Sequence, residues 1–161
     1  DPGIQSEERG QAGAIATNLL EMCRLRTPMI SVVIGEGGSG GALAIGVTDR
    51  ILMMENAVYS VVSAEGCASI LWKDSTHAPT AAEAMRITAQ DLSALGIVDE
   101  VIPEPAGGAQ LDYQAAATGM RDSLLHHLCD LRTIYGSGRE LQSDRLLEDR
   151  RARFRRIGVL G

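Results

Sequence analysis

A glycine-rich segment near residue 40 has the residue types and spacing in this sequence that are best suited to chemistry. It covers residues 35–42 and reads GEGGSGGA, between an apolar run and a short helical pattern. Glycine has no Cβ, so a ligand can approach the backbone closely and sharp turns are accessible. Three functional patterns fit this segment, and each predicts a different chemistry.

The first pattern is the dinucleotide-binding fingerprint. Gly35, Gly37 and Gly40 match G-x-G-x-x-G, and an acidic residue, Glu55, follows about 20 residues after the first glycine. However, only about ten residues separate Gly40 from the next predicted strand at Ile51, whereas a parallel crossover needs roughly a dozen or more. This spacing disfavours a dinucleotide-binding enzyme.

The second pattern is the nucleophile elbow of serine hydrolases, because residues Gly37–Gly41 match G-x-S-x-G around Ser39. A hydrolase of this kind needs a histidine within hydrogen-bond reach of the serine. His77 lies in a predicted loop, and His126 and His127 lie on a long predicted helix. None of the three follows a strand end, where the base of a triad usually lies, so the sequence disfavours Ser39 as a nucleophile.

The third pattern is an oxyanion hole without a nucleophile. Gly40 and Gly41 fall at the predicted start of a helix, where backbone N–H groups have no intrahelical acceptor. The helix dipole favours negative charge at that end, and losing one such donor typically costs about 3–4 kcal/mol in the transition state. A branched side chain at Gly40 is expected to obstruct the substrate oxygen. The alternative is a tight turn with no chemistry, and the pattern favours the oxyanion hole.

Strands and helices alternate around this segment, which predicts an α/β layered fold. The predicted strands are Met29–Ile34, Ile51–Met54, Val58–Val62 and Val98–Ile102. The predicted helices run from Ser6 to before Thr27, over residues 40–47, Gly66–Trp72 and Thr80–Thr88, between Thr88 and Gly96, and over Tyr113–Ile134 and Ser143–Ile157. The continuous apolar run 29–34 indicates a strand that is buried on both faces.

Three capping signals set the predicted boundaries of helices. Ser6, followed by acidic residues, predicts a helix start. Thr80 and Glu83 have the spacing of a capping box. Thr88 and the terminator Gly96 bracket a further short helix.

The C-terminal part of the sequence concentrates positive charge. Eight of the arginines fall between Arg132 and Arg156, although the net charge of the chain is −6. The net charge argues against a nucleic-acid partner, and the arginines predict a solvated helix face or a contact surface for an acidic partner. Gly136–Gly138 predicts a hinge, which divides the chain into a core over residues 1–135 and a hinge with an arginine-rich helix over residues 136–161.

Other features disfavour several classes of protein and site. The apolar runs are far shorter than the roughly 20 residues of a membrane span, and the first residues show no secretion signal. Cys23, Cys67 and Cys129 are isolated, so a zinc ribbon and a disulfide framework are disfavoured. We therefore expect a cytoplasmic protein with no metal site.

Residues Gly35–Gly46 (GEGGSGGALAIG) resemble the signature of the carboxyltransferase α subunits of bacterial acetyl-CoA carboxylase, within the crotonase-like superfamily. The further stretches that agree with this family are Glu7–Gln11, Glu65–Lys73 and Leu95–Pro105. The resemblance covers nearly the whole chain and corresponds to the C-terminal half of such a subunit. It implies a crotonase/Clp-type spiral of strand-turn-helix units (ββα), here only part of the domain, with a C-terminal helical extension.

The resemblance also implies a function. The family transfers a carboxyl group from carboxybiotin, held on the biotin carboxyl carrier protein, to acetyl-CoA, which gives malonyl-CoA for fatty-acid synthesis. The implied partners are a β subunit, in a heterotetramer of two α and two β subunits, and biotin carboxylase. By resemblance, Gly40 and Gly41 form the oxyanion hole on the biotin side. By resemblance, the substrate-binding residues are Gly37, Gly38, Ser39, Glu65 and Gly66.

Other functions of the superfamily fit the residues less well. Hydratases carry a glutamate just after the glycines, where this chain has Leu43, and Glu65 is the only carboxylate near the place of their second one. Clp-type proteases have a serine at the place of Ser39, but their histidine follows the next strand, where this chain has Ser63–Glu65. The alternative from another class is a non-catalytic assembly module that completes the fold of a partner subunit.

Overall fold

The computed structural model describes residues 3–158. Its helices are α1 (Ile4–Glu8), α2 (Gln11–Arg24), α3 (Ser39–Gly46), α4 (Ala64–Trp72), α5 (Ala78–Met85), α6 (Ala89–Ala94), α7 (Tyr113–Tyr135) and α8 (Ser143–Arg156). Its strands are β1 (Ile30–Val33), β2 (Glu36–Gly38), β3 (Arg50–Met54), β4 (Val58–Ser60) and β5 (Glu100–Ile102). Within residues 3–158, no helix combines the length and apolar character that a membrane span requires.

These strands form two parallel sheets. β1, β3 and β5 form a three-stranded sheet in that order, and β2 pairs with β4 in a second sheet. The chain passes from β1 to β2 and α3, and then from β3 to β4 and α4. Each pass therefore adds one strand to each sheet and then a helix, as in the strand-turn-helix spiral that the resemblance implied.

The parallel pairing of β1 and β3 shows that one sequence argument is wrong. A crossover too short for parallel strands is expected only when residues are counted from Gly40 to Ile51. The connection between the two strands covers residues 34–49 and contains β2 and the eight-residue helix α3. Crossover length therefore does not exclude a dinucleotide-binding fold.

β3 lies in the centre of the core, and β1 lies at the edge of its sheet. Ile51, Leu52 and Met53 each have 2% or less of their surface exposed. The residues of β1 are only partly buried, and Ile34, just beyond it, is 71% exposed. The expectation that residues 29–34 are buried on both faces is wrong, because β1 is an outer strand that lines a cleft.

Two predicted elements differ from the observed ones because a local backbone signal interrupts them. The predicted helix from Ser6 is divided at Gly10, whose φ of 82° lies in the left-handed region that glycine adopts without strain. The predicted strand Val58–Val62 ends at Ser60. Ser63 then caps α4, because its Oγ accepts a hydrogen bond from the backbone N–H of Gly66 at 3.1 Å.

Two predicted helix caps are wrong and a third is confirmed. Ser6 does not start a helix, since it lies inside α1, which begins at Ile4 after the cap residue Gly3. Thr80 does not cap a helix, since α5 begins at Ala78 with Pro79 in its first turn, where a missing N–H is tolerated. Thr88 does cap α6, because its Oγ1 accepts a hydrogen bond from the backbone N–H of Asp91 at 3.3 Å.

The turn between α7 and α8 contains the glycines of the predicted hinge. Gly136 and Gly138 have φ values of 80° and 58°. On either side of the turn, Leu131 and Tyr135 of α7 form a buried cluster with Leu146 of α8. The helices are therefore packed together at this point, and the division of the chain at residue 136 stays a prediction.

The arginine-rich helix α8 is anchored to the core. Arg150 is 2% exposed and donates hydrogen bonds to both carboxylate oxygens of Asp49, at 2.8 and 2.9 Å. Arg153 donates a hydrogen bond to Asp99 at 2.7 Å. The expectation of a solvated face or a partner surface is therefore wrong for these two arginines, which face inward, while Arg151 is exposed.

Candidate active site

The glycine-rich segment forms β2 and the first turn of α3. β2 pairs with β4 so that Gly37 lies opposite Tyr59. Ser39 begins α3 with a φ of 57°, a left-handed conformation that is uncommon for a residue other than glycine. Such a conformation costs on the order of 1 kcal/mol, and it joins the strand directly to the helix without a loop.

The first amides of α3 have no hydrogen-bond acceptor in the described part of the chain. Gly40 and Gly41 are the second and third residues of the helix, where N–H groups have no intrahelical partner. Across residues 3–158, neither amide donates a hydrogen bond to a loop carbonyl or to a side chain. The helix dipole adds partial positive charge at this end. These amides are therefore available to an external oxygen.

A cleft of about 410 Å³ opens beside this turn. Its lining residues include residues 31–38, Gly41, Ala42, Ile45, Gly46 and Tyr59. Glu36 is the one carboxylate among the lining residues, and it is exposed. Residues 3–158 contain no group of three or more His, Cys, Asp or Glu side chains that could hold a metal. Besides Glu36, the polar side chains among the lining residues are the hydroxyls of Ser31 and Tyr59.

The two glycines of the predicted oxyanion hole face different surroundings. Gly41 lines the cleft, and a Cβ built on it would meet nothing within 4 Å. A Cβ built on Gly40 would meet Cγ2 of Ile15, on α2, at 3.6 Å. A branched side chain at Gly40 would therefore contact α2 first, contrary to the expectation that it would obstruct the substrate oxygen directly.

Tyr59 lies across the glycines of this site. A Cβ built on Gly37 would be 3.0 Å from Cδ2 of the Tyr59 ring, and one built on Gly46 would be 2.6 Å from its hydroxyl. The ring therefore extends from β4 past β2 to the last residue of α3. Burial raises the pKa of the Tyr59 hydroxyl above its ordinary value, so the group stays protonated at neutral pH. No local sequence pattern points to Tyr59, because its position depends on the register of β2 and β4.

Glu65 and Gly66 lie on α4 and do not line the cleft. Glu65 is exposed in the first turn of that helix. The amide of Gly66 is used in the Ser63 cap, and a Cβ built on Gly66 would be 2.8 Å from Cγ2 of Val62. Of the predicted site residues, the structure brings Gly37, Gly38 and Gly41 together in the lining of the cleft. Ser39, Gly40, Glu65 and Gly66 lie outside that lining.

The histidines are engaged elsewhere in the molecule. The His77 ring lies against Trp72, with ring centroids 5.6 Å apart. His126 lies 3.5 Å from Asp130, and His127 forms a hydrogen bond with Glu100 at 2.8 Å. In the described ranges, no hydrogen bond joins Ser39 to a histidine, as the sequence argument against a nucleophile expects.

The sequence matches one family over almost its whole length. The model of a family described as acetyl co-enzyme A carboxylase carboxyltransferase-like matches residues 1–158. The chain is 56% identical over 158 residues to the acetyl-coenzyme A carboxylase carboxyl transferase subunit alpha of Deinococcus radiodurans, covering 98% of this chain and 48% of the relative. It is 52% identical over 161 residues to the subunits beta/alpha of the same enzyme from Salinispora tropica, covering 100% of this chain and 27% of the relative. The chain thus spans about half the length of the curated α relatives it matches.

Solved structures share the fold. A Pseudomonas malonate decarboxylase hetero-tetramer in complex with coenzyme A aligns with a TM-score of 0.71 and 21% identity, covering 96% of this chain and 61% of that chain. An enoyl-CoA hydratase from Mycobacterium avium subsp. paratuberculosis aligns with a TM-score of 0.53 and 21% identity. The alignment covers 89% of this chain and 57% of that chain. At these identities the likeness concerns the fold, and it confirms the crotonase-type spiral.

Proposed function

The chain belongs to the acetyl co-enzyme A carboxylase carboxyltransferase-like family, and from this we propose that it forms the oxyanion-binding part of a carboxyltransferase. The reaction is the transfer of a carboxyl group from carboxybiotin to acetyl-CoA, which gives malonyl-CoA for fatty-acid synthesis. The observation that carries this proposal is the pair of amides at Gly40 and Gly41 in the first turn of α3, which have no acceptor among residues 3–158. Gly41 lines the cleft, and Gly40 is its neighbour in the chain.

These amides act by binding an oxygen that becomes more negative during the reaction. Because the backbone of α3 holds them, they need no reorganisation as charge develops, and one such donor is typically worth a factor of about 100 or more in rate. Gly37 and Gly38 keep the approach to the turn free of side chains. Ser39 supplies the abrupt backbone turn rather than a nucleophile.

The cleft fits the ureido end of biotin. The N–H of Gly41 can donate to a carbonyl oxygen, while side chains such as Val33 and Ile45 offer apolar contact to the ring faces. When bound, carboxybiotin would supply the carboxyl group that is transferred, and biotin would be left. The residues of this chain orient it and exclude water on one side.

We propose that a β subunit supplies the other side of the site, where acetyl-CoA binds. The Salinispora tropica relative carries beta and alpha subunits in one name, which supports a close association of the two. The family further implies a cytoplasmic heterotetramer of two α and two β subunits. In it, the biotin carboxyl carrier protein delivers the carboxyl group after loading by biotin carboxylase.

The test is malonyl-CoA-dependent carboxylation of free biotin, measured for the chain alone and for the assembled complex with the β subunit. We expect transfer by the complex and none by the chain alone, because the chain contributes one oxyanion site and acetyl-CoA needs another. A complex that forms on size-exclusion chromatography but transfers nothing would favour the assembly module instead. Transfer by the chain alone would contradict the requirement for a β subunit.

A further inference from the structure

Two tyrosines of this chain are substantially buried, and their hydroxyls differ in one respect. The hydroxyl of Tyr135 donates a hydrogen bond to Asp149 at 2.9 Å. The hydroxyl of Tyr59 forms no hydrogen bond with any of residues 3–158, although Tyr59 lines the cleft. The Tyr59 hydroxyl is not among the fully enclosed side-chain atoms that lack a partner, so it stays accessible to a group that enters the cleft.

We infer that the Tyr59 hydroxyl donates a hydrogen bond to the molecule bound in the cleft and fixes the end of that molecule that lies away from the reacting oxygen. This inference rests on the proposed function, because it assigns a second contact point in the same site. It makes Tyr59 a ligand-binding residue that acts on affinity rather than on the chemical step.

The position of the hydroxyl is set by two glycines. In the β2–β4 register Gly37 lies opposite Tyr59, and a Cβ there would press on the ring at 3.0 Å. A Cβ at Gly46 would overlap the hydroxyl at 2.6 Å. With glycine at both places, the ring crosses β2 and its hydroxyl reaches the surface of α3. The ring packs against the core, and its polar end lies at Gly46, another lining residue of the cleft.

The spacing of the donors describes the ligand. Gly41 and Gly46 lie at opposite ends of α3, five residues apart, which corresponds to about 7.5 Å along a helix. The Tyr59 hydroxyl lies beside Gly46, and the free amide lies at Gly41. Between them the lining is largely apolar, with Ala42 and Ile45. The ligand is therefore elongated and mostly apolar, with an acceptor near each end.

Burial keeps the hydroxyl in its donor form. The pKa of Tyr59 is raised by desolvation, so the phenol carries its proton across the whole neutral range. A protonated hydroxyl in this largely apolar cleft can donate to a carbonyl or amide oxygen of the ligand.

The experiment compares Tyr59→Phe with Tyr113→Phe in the assembled carboxyltransferase that contains this chain. Phenylalanine keeps the ring and removes only the hydroxyl, and Tyr113 is 76% exposed, so its variant is a matched control. The probe is free biotin, with its Kd from isothermal titration and its KM and kcat from the transfer assay. For Tyr59→Phe we expect Kd and KM to rise about five- to tenfold, with kcat within twofold and an unchanged Tm. Gly46→Ala, whose Cβ would displace the Tyr59 hydroxyl, should also raise Kd.

Several results would overturn the inference. Tyr59→Phe with the same Kd as Tyr113→Phe would show that the hydroxyl touches no ligand, and a large loss of Tm would show that it serves the fold. A fall in kcat with unchanged Kd would place it in the chemical step instead. The titration needs no turnover, so it tests Tyr59 even in a preparation that is inactive. A wild-type complex that transfers no carboxyl group counts against the proposed function, whereas an active complex indifferent to Tyr59→Phe counts only against this inference.

Discussion

The first turn of α3 and the anchor of α8, which is Arg150 with its acceptor Asp49, both contain strong hydrogen-bond donors. The two regions differ in whether those donors are paired within the chain. In the anchor, every N–H of the Arg150 guanidinium has an acceptor. At the turn, the amides of Gly40 and Gly41 have none among residues 3–158. Complete pairing is typical of a group that holds the fold, whereas the open donors beside the cleft are those we propose to act on a ligand.

The anchor shows what complete pairing requires. Besides Asp49, Arg150 donates to the backbone carbonyls of Met22, Leu25 and Thr27, at 2.8 to 3.0 Å. Met22 lies in the last turn of α2, and Leu25 and Thr27 follow the helix, so the guanidinium supplies donors to carbonyls at and just beyond a helix end. One side chain thus joins α8, the end of α2 and the start of β3.

The largest effect is expected on the free energy of unfolding when the Arg150 side chain is removed. Arg150→Ala removes five hydrogen bonds and leaves the carboxylate of Asp49 buried without its partner, so we expect the free energy of unfolding to fall by about 3–5 kcal/mol. Urea denaturation measures this change. Arg151→Ala, at an exposed neighbour, is the control and should change stability by about 0.5 kcal/mol or less. Equal effects of the two variants would show that the anchor is not special.

The next effect is on catalysis at the turn. Gly41→Pro removes one open amide, and proline is tolerated in a first helical turn, so we expect kcat/KM to fall about 100-fold in the assembled enzyme with the fold kept. Gly41→Ala keeps the N–H, and its Cβ would meet nothing within 4 Å, so its loss should stay within about tenfold. If the two variants had the same kcat/KM, the amide would have no role in transfer.

A smaller effect on kcat/KM is expected from substitutions of Ser39, which lies between β2 and the open amides of α3. Because no histidine forms a hydrogen bond with it in the described ranges, Ser39→Ala should keep kcat/KM within about tenfold of wild type. Ser39→Gly is the companion variant, since it also lacks the hydroxyl but relieves the positive φ. Stoichiometric labelling of Ser39 by a fluorophosphonate would instead identify a nucleophile.

The smallest expected effect is on how stability depends on pH, through Tyr135 near the anchor. Burial, followed by the hydrogen bond to Asp149, raises the pKa of Tyr135 to about 12. A raised pKa in the folded state means that the stabilisation is complete below pH 10 and is lost as pH rises through about 12. The Tm of wild type should therefore fall more between these pH values than the Tm of Tyr135→Phe. Parallel falls in both proteins would show that Tyr135 does not contribute to this pH dependence.

The local sequence predicted the turn and most helices, because their signals lie within a few residues. The glycines of residues 35–41, the Thr88 cap and the long pattern of α7 are of this kind. β2 was not predicted, since a strand of three residues rich in glycine has no side-chain pattern and depends on pairing with β4.

The features that the sequence did not reveal depend on residues far apart in the chain. Arg150 is one of eight arginines in its region, and only its contact with Asp49, 101 residues away, distinguishes it from the exposed ones. Tyr59 became part of the site through its register with Gly37 and its approach to Gly46. Spacing within a motif cannot reveal such contacts.

The long separation between Arg150 and Asp49 also bears on the order in which the chain folds. Forming this pair closes a loop of 101 residues, and the entropy of closing so long a loop must be lost before the contact can stabilise anything. Contacts of this kind form late, so we expect the packing of β1 and β3 to precede the docking of α8. The anchor then chiefly slows unfolding, so its removal should raise the unfolding rate in the unfolding arm of a chevron plot.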